Sequence, residues 1–130
     1  MTQFLLDTSV IIDVLNDKRG RARLIQELLA DGHAFSCCSI NVAEVYAGMR
    51  PRERRHTENL LDSLFCYEIT RSVAAQAGLL KHEWSERGIT LSIADTCIAA
   101  AALANNLVLM TDNIKHYPMA DVRKFEWPIT

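Results

Sequence analysis

The sequence predicts a single α/β domain in which a short central parallel sheet is flanked by helices on both faces. Short apolar runs typical of buried strands alternate along the chain with longer stretches of helical character, an order that favours a parallel sheet. The clearest run, residues 107–110, is apolar throughout and lies between a turn and Thr111. The chain has 130 residues, of which 49% are hydrophobic, so we assign residues 1–130 to one domain with a sizeable core.

The first half of the chain predicts two strands and three helices. The strands are the apolar runs at residues 4–6 and 34–38, and the helices span residues 10–15, residues 21–30, and a stretch that begins at Ser39 or Asn41 and ends near Gly48. Thr8 or Ser9 offers the side-chain oxygen that caps the first helix. Gly32 provides a stop for the second, because glycine readily adopts the left-handed conformation that follows many helices.

The second half predicts two more strands and three more helices. The strands lie at residues 67–69 and 107–110, and the pattern allows a last strand near residues 123–127. One helix starts at Pro51 and carries Leu60, Leu61, Leu64 and Phe65. The other two helices span residues 72–87 and 92–104. Proline suits the first turn of a helix because an N–H is not needed there. Gly88 ends the second of these helices, and Ser92 caps the third.

Composition narrows the class of protein. The formal net charge is −2, so the chain as a whole does not attract nucleic acid, although a nuclease can use bound cations to meet the phosphate. No stretch approaches the roughly 18 apolar residues of a membrane span, and the first apolar run is too short for a signal peptide. The cysteines form no C-x-x-C pair, which indicates reduced thiols in the cytoplasm.

Two aspartates follow the ends of predicted strands. Asp7 comes directly after the first strand, and Asp112 lies two residues beyond the run at 107–110. The carboxyl ends of parallel strands share one edge of the sheet, where ligands usually bind, so the two side chains can meet in space. Taken singly, each aspartate also fits an ordinary turn or cap.

Two further acids lie within predicted helices. Glu44 has apolar neighbours on both sides, although an acid near the start of a helix is also favoured by the helix dipole. Asp95 is the only charged residue between Arg87 and Asp112, and its helix is apolar nearly all round, so we expect Asp95 to be buried. Burying an unpaired carboxylate costs on the order of several kcal/mol, which a bound cation would offset.

These acids together predict a site for a hard divalent cation. Mg²⁺ is held by a few carboxylates, by water and by the phosphate oxygens of a substrate. Such a cation activates water as a nucleophile and can stabilise the leaving oxygen at phosphorus. The histidines show no ligand spacing and the cysteines are scattered, which disfavours zinc.

At these residues the sequence resembles the PIN-domain family, and within it the VapC-type toxins of bacterial toxin–antitoxin pairs. The matching pieces span essentially the whole chain and are Leu6-Asp7-Thr8-Ser9, Asn41-Val42-Ala43-Glu44-Val45, Ala94-Asp95-Thr96, and Thr111-Asp112-Asn113 with Tyr117. The resemblance implies a single PIN-like domain that acts as a Mg²⁺- or Mn²⁺-dependent endoribonuclease on RNA. It also implies a homodimer that is inhibited by a small antitoxin protein occluding the acidic site.

The resemblance also implies roles for individual residues. Asp7 and Asp95 would be the main metal ligands, and Glu44 would assist directly or through water. The residues expected to position the substrate are Thr8, Ser9 and Thr111.

The fourth site residue is left open between two neighbours. The family often places an acid two residues after the threonine, where this chain has Asn113, while Asp112 comes one residue earlier. Asp112 is therefore a candidate catalytic residue and metal ligand. In the alternative, Asn113 holds a water of the metal, and Asp112 is structural.

Eight of the 14 lysines and arginines lie in two short runs. The first run contains Lys18, Arg19, Arg21 and Arg23, and the second contains Arg50, Arg52, Arg54 and Arg55. We expect these runs to hold RNA phosphates beside the metal, although a solvated helical face explains them equally simply. Arginine would also suit the carboxylates of an antitoxin.

Three functions other than that of a toxin also fit part of the sequence pattern. The same nuclease chemistry could serve RNA processing without a toxin role. A phospho-receiver signalling domain also places aspartates around Mg²⁺, but it normally has an acidic pair after the first strand and a lysine just before a proline. Asp7 has no acidic neighbour, and two residues separate Lys115 from Pro118, so the receiver ranks below the nuclease. An inert interaction module would leave the acid at position 95 unexplained.

Overall fold

The computed structural model describes residues 1–128, and within them it contains four strands and six α-helices. The strands are Gln3–Leu6 (β1), Ala34–Cys38 (β2), Phe65–Tyr67 (β3) and Val108–Met110 (β4). The helices are Thr8–Leu15 (α1), Arg21–Ala30 (α2), Ser39–Gly48 (α3), Arg54–Ser63 (α4), Arg71–Glu86 (α5) and Ile93–Ala104 (α6). None of the helices described is both long enough and apolar enough to cross a membrane. Ile129 and Thr130, the last residues of the domain assigned from the sequence, lie outside the described residues.

The four strands form one parallel sheet in the order β3-β2-β1-β4. The first and last strands of the chain are neighbours, and Leu6 pairs in register with Met110. The backbone N–H of Asp7 continues this ladder by donating to the carbonyl of Met110 at 2.9 Å. The residues that follow β1 and β4 therefore meet at one edge of the sheet, as the sequence predicts.

Helices cover both faces of the sheet. Successive side chains of a strand point to opposite faces, and in β1 every apolar side chain is buried. Leu5 packs in the core cluster that contains most of α6 and part of α5. Phe4 and Leu6 pack in the other cluster, together with residues of α1, α3 and α4. The predicted α/β architecture is thus confirmed.

The first helix and the third strand differ from the sequence-based prediction. Helix α1 starts at Thr8 rather than at residue 10, because the carboxylate of Asp7 caps it by accepting from the N–H of Thr8 at 2.9 Å. Strand β3 lies two residues earlier than predicted, and its last residue, Tyr67, pairs with Cys38. Beyond it, the N–H of Ile69 donates to the hydroxyl of Ser39, so the chain has already left the sheet.

Two further predictions for the second half are wrong in part. Pro51 begins a short 3-10 turn, Pro51–Glu53, and the α-helix that follows ends at Ser63, so Leu64 and Phe65 lie outside it. Among the described residues, 123–127 do not form a strand; Lys124 makes only an isolated bridge with Leu109. The ammonium of Lys124 instead donates to two backbone carbonyls of the preceding turn.

Candidate active site

Asp7 and Asp95 lie on either side of one buried hydroxyl. The Oη atom of Tyr117 is 3.2 Å from Oδ1 of Asp7 and 3.3 Å from Oδ1 of Asp95. Asp7 is the N-cap of α1 directly after β1, whereas Asp95 lies in the first turn of α6. Two acids far apart in the sequence are therefore brought together at the carboxyl edge of the sheet.

Asp7 is buried and surrounded by hydrogen-bond donors. Its Oδ1 atom accepts from the N–H of Thr8 at 2.9 Å as well as from Tyr117, and its Oδ2 atom accepts from the hydroxyl of Thr111 at 2.6 Å. Burial raises the pKa of Asp7, the negative charge of Asp95 adds to this, and the three hydrogen bonds oppose it without cancelling it. A cation bound at this carboxylate would therefore be favourable.

This raised pKa predicts how the stability of the metal-free protein depends on pH. The folded state holds the proton of Asp7 more tightly than the unfolded state does, so the ionised carboxylate lowers stability as pH rises through its folded pKa. In urea titrations with a chelator, we expect Asp7→Asn to unfold at a higher midpoint than the wild type near neutral pH. This advantage should shrink as pH falls from neutral towards about 4, the region of the unfolded pKa, because below it Asp7 is protonated in both states.

The matched control is Asp62→Asn, which changes an exposed aspartate of α4. Its unfolding midpoint should follow that of the wild type at every pH. If Asp7→Asn and the wild type keep a constant difference in midpoint from pH 4 to pH 7.5, the pKa of Asp7 is not raised and the prediction is wrong.

Asp95 is less buried than the sequence predicts. Its side chain is 22% exposed, and Nδ1 of His116 lies 3.3 Å from its Oδ2 atom. Ser92 caps α6 by accepting from the N–H of Asp95 at 3.0 Å, and burial of the helix begins only at Thr96. The prediction of full burial is wrong because the first turn of α6 reaches the open edge of the sheet.

Glu44 reaches the same edge through a threonine. The hydroxyl of Thr8 donates to Oε1 of Glu44 at 2.7 Å and accepts from the side-chain amide of Asn41 at 3.1 Å. Asn41 is fully buried and is itself fixed, because its Oδ1 atom accepts from the N–H of Cys38 at 2.8 Å. Glu44 is exposed and is therefore held beside Asp7 by the residue that follows Asp7 in the chain.

Asp112 forms ion pairs with two arginines. Its Oδ1 atom lies 2.7 Å from Nη2 of Arg21 and 3.3 Å from Nη1 of Arg19. The guanidinium of Arg21 also lies 3.4 Å from the ring centroid of Trp127, whose indole N–H donates to the carbonyl of Thr111 at 3.0 Å. These contacts fasten the turn after β4 to the start of α2.

The remaining predicted residues have smaller roles in this geometry. Asn113 is exposed, and its backbone N–H donates to the hydroxyl of Thr111 at 2.9 Å. The buried hydroxyl of Ser9 has no hydrogen-bond partner within residues 1–128. The run formed by Arg50, Arg52, Arg54 and Arg55 is exposed. Within that run, Arg54 pairs with Glu58 at 2.7 Å.

The four predicted acids do not form one compact group. In the described part of the chain, no three histidine, cysteine, aspartate or glutamate side chains come close enough to hold a metal ion together. Asp7 and Asp95 are adjacent, whereas Glu44 is bound by Thr8 and Asp112 is turned to its arginines. The contacts of Glu44 and Asp112 with other side chains thus keep these two carboxylates apart from the Asp7–Asp95 pair, although all four lie near the carboxyl edge of the sheet.

The Asp7–Asp95 pair nevertheless suits a hard divalent cation. Mg²⁺ is usually bound through one or two carboxylates, with water and substrate phosphates completing its shell, rather than by a full set of protein ligands. Burial and mutual repulsion disfavour the ionised form of Asp7, and a cation would offset both effects. The donors are carboxylate oxygens, which is the chemistry that Mg²⁺ and Mn²⁺ prefer.

Three contacts could not be anticipated from the sequence. They are the hydroxyl of Tyr117 between two aspartates, the imidazole of His116 at Asp95, and the arginine pair at Asp112. For the contact of Tyr117 the sequence offers only a general indication, because a buried tyrosine usually finds a hydrogen-bond partner for its hydroxyl. The sequence does not indicate which partner that is.

Comparison with known proteins identifies the family of the chain. A family model described as the PIN domain matches residues 4–122, and the chain belongs to this family. It is similar to Ribonuclease VapC19 of Mycobacterium tuberculosis, with 30% identity over 88% of this chain and 92% of the relative. It is also similar to Ribonuclease VapC2 of Haemophilus influenzae, with 28% identity over 90% and 91% of the two chains. The phospho-receiver alternative is therefore wrong.

Solved structures show the same fold. The VapBC2 complex from Rickettsia felis, bound to a DNA fragment from its promoter, contains a chain that matches with a TM-score of 0.83 at 23% identity, covering 98% of this chain and 100% of that one. A DNA-bound VapBC from Salmonella typhimurium matches with a TM-score of 0.81 at 22% identity, covering 97% and 98%. At this level of identity the likeness establishes the fold, and the site must be argued from its own residues.

Proposed function

We propose that the protein is a metal-dependent endoribonuclease that hydrolyses RNA phosphodiester bonds, and that it is the toxin of a toxin–antitoxin pair. The observation that carries the proposal is the Asp7–Asp95 pair at the carboxyl edge of a PIN-domain sheet. The names of the relatives, which are ribonucleases of the VapC type, support the reaction. The complexes to which similar chains belong, named VapBC, support a partner protein.

Asp7 and Asp95 are the residues that would hold the cation, which is Mg²⁺ or Mn²⁺ in this proposal. When bound, the cation supplies charge that stabilises the phosphorane-like transition state and makes water more acidic. Glu44 is exposed at the same edge and can accept a proton from an attacking water. Thr8 orients Glu44 by donating a hydrogen bond to one carboxylate oxygen, and the other oxygen stays available.

We further propose that Asp112 has a structural role and that Asn113 is the residue of this turn that faces the reaction. Asp112 is already paired with Arg21 and Arg19, so a cation would have to compete with two guanidinium groups for it. Asn113 is exposed, and an amide oxygen can accept from a water of the metal. Thr111 acts indirectly in this proposal, because its hydroxyl donates to Asp7 and orients that carboxylate.

The arginine run around α4 is the proposed contact for the RNA backbone. Arg50, Arg52, Arg54 and Arg55 are exposed and lie close together along the chain, beside the end of the helix that carries Glu44. Such a cluster attracts phosphates over a distance of about one Debye length without reading sequence. An antitoxin that occludes the acidic edge, and a homodimeric assembly, complete the proposal.

Removal of the metal tests the proposed reaction. We expect the purified protein to cleave RNA into discrete fragments with Mg²⁺ or Mn²⁺ and to lose this activity with a chelator, because the reaction depends on the charge that the cation supplies. Excess Mg²⁺ added after the chelator should restore the fragments. The measurement is gel electrophoresis of end-labelled tRNA, ribosomal RNA and messenger RNA.

A double-stranded DNA of equal length serves as the control substrate in this assay. Cleavage that continues at full rate with the chelator would contradict the role of the metal. Intact RNA in all three classes, under every metal condition, would reject the nuclease itself.

A further inference from the structure

Within residues 1–128, Tyr117 is the only residue whose side chain hydrogen-bonds to both Asp7 and Asp95. It is fully buried, so its hydroxyl depends on neighbouring protein groups for hydrogen bonds. A buried hydroxyl is costly unless it is hydrogen-bonded, and here both of its neighbours are carboxylates. Burial and the charges of Asp7 and Asp95 raise the pKa of Tyr117 far above its ordinary value, so the phenol keeps its proton and remains a donor.

The donors around Asp7 restrict which of its lone pairs remain. A carboxylate has about four lone-pair positions, two on each oxygen. On Oδ1, the N–H of Thr8 and the hydroxyl of Tyr117 occupy both, and on Oδ2 the hydroxyl of Thr111 occupies one. One position on Oδ2 is left over among the described residues. The single proton of Tyr117 is shared between Oδ1 of Asp7 and Oδ1 of Asp95, which lies 3.3 Å from the hydroxyl.

We propose that Tyr117 is a positioning residue that fixes how the two aspartates present their oxygens to a divalent cation. Its hydroxyl ties Oδ1 of Asp7 and Oδ1 of Asp95 to one buried point, so the two carboxylates keep a set separation and the remaining oxygens face the cation. The inference rests on the metal site of the proposed function. It goes beyond that function by assigning a role to a residue that binds neither metal nor RNA.

The test is the binding of Mn²⁺ to Tyr117→Phe, which removes one oxygen and keeps the ring. We expect its dissociation constant for Mn²⁺ to rise about tenfold or more, the usual consequence of losing a group that orients a metal ligand. Free Mn²⁺ is measured by its electron paramagnetic resonance signal, without RNA. The matched control is Tyr67→Phe, which removes a hydroxyl that lies 3.3 Å from Gln3 and touches no part of the site.

Three results would overturn the inference. One is unchanged Mn²⁺ affinity in Tyr117→Phe, and another is tighter binding, which would mean that the hydroxyl only competes with the cation. The third is a wild-type protein that does not bind Mn²⁺. Failure of the proposed nuclease looks different: the wild type would bind Mn²⁺ and leave RNA intact, and the comparison of affinities would still decide the role of Tyr117.

A second measurement covers the case in which Tyr117→Phe folds poorly. Urea unfolding of the metal-free protein is compared for Tyr117→Phe, Asp95→Asn and the double variant. Because the hydroxyl contacts Asp95 directly, we expect the two shifts in unfolding midpoint not to add. Additive shifts would show that residues 117 and 95 act independently, and the proposal would be rejected.

Discussion

Replacing Asp95 with asparagine is expected to reduce RNA cleavage about a thousandfold while leaving the fold intact. The substitution keeps the size of the side chain but removes one of the two charges proposed to hold the cation. A cation contributes several kcal/mol to transition-state stabilisation, and each 1.36 kcal/mol corresponds to a factor of ten in rate, so losing the cation costs about three orders of magnitude. Initial rates at saturating Mg²⁺ give the comparison.

The fold should survive this change for local reasons. Helix α6 is capped by Ser92, which accepts from the backbone N–H of residue 95 and does not depend on its side chain. The asparagine oxygen can still accept from Tyr117. Asp62→Asn, the exposed aspartate of α4, provides the matched control and should cleave at the wild-type rate. A rate for Asp95→Asn within tenfold of the wild type would contradict the assignment of the site.

Replacing Arg21 with leucine is expected to lower the free energy of unfolding by about 2–4 kcal/mol. The side chain is only 9% exposed, and its Nη2 atom lies 2.7 Å from Asp112. Removing Arg21 leaves Asp112 with only the longer contact to Arg19, whose side chain is 62% exposed, and the stacking of the guanidinium on Trp127 is lost as well. Urea denaturation followed by circular dichroism measures the change.

The same helix provides the control for this prediction. Arg23 lies two residues further along α2, has an 86% exposed side chain, and pairs with Glu27 at 3.3 Å on the surface. Arg23→Leu should change the free energy of unfolding by less than about 1 kcal/mol, because exposed ion pairs contribute little. Equal destabilisation by the two substitutions would show that the contacts of Arg21 with Asp112 and Trp127 do not stabilise the fold.

The proposed structural role of Asp112 depends on this network of Arg21, Asp112 and Trp127. If Asp112 were a metal ligand, a cation would have to displace guanidinium groups that already neutralise it. The network also connects the turn after β4 to Asp7, since Trp127 bonds to the carbonyl of Thr111 and Thr111 bonds to Asp7. A charged pair that is not proposed to bind the cation thus helps to hold the buried aspartate.

Local pattern was sufficient for much of the fold. Largely apolar runs located β1, β2 and β4, because a strand buried on both faces is mostly apolar. The polar exception in β2, Ser36, is buried with its hydroxyl donating to the carbonyl of Phe4 at 2.7 Å. Strand β3 was placed two residues too late, because Leu64 and Phe65 were assigned to the preceding helix, which in the structure ends at Ser63. The last predicted strand is reduced to a single bridge at Lys124, made by two backbone hydrogen bonds that join Leu109 to Arg123 and to Phe125.

The acidic residues of the site could be predicted from the sequence, because their prediction depends on residue type and on where the strands end. The carboxyl ends of parallel strands predicted that Asp7 and Asp112 lie at one edge, and the apolar helix around Asp95 indicated that this acid needs a counter-charge. The pairing of Asp7 with Asp95 was implied only by the resemblance to the PIN-domain family. The sequence alone could not show which side chains bond to each carboxylate. Thr8 and Arg21 each bond to one acid and Tyr117 bonds to two. These contacts join residues 22 to 110 positions apart, and only the packed chain defines such distances.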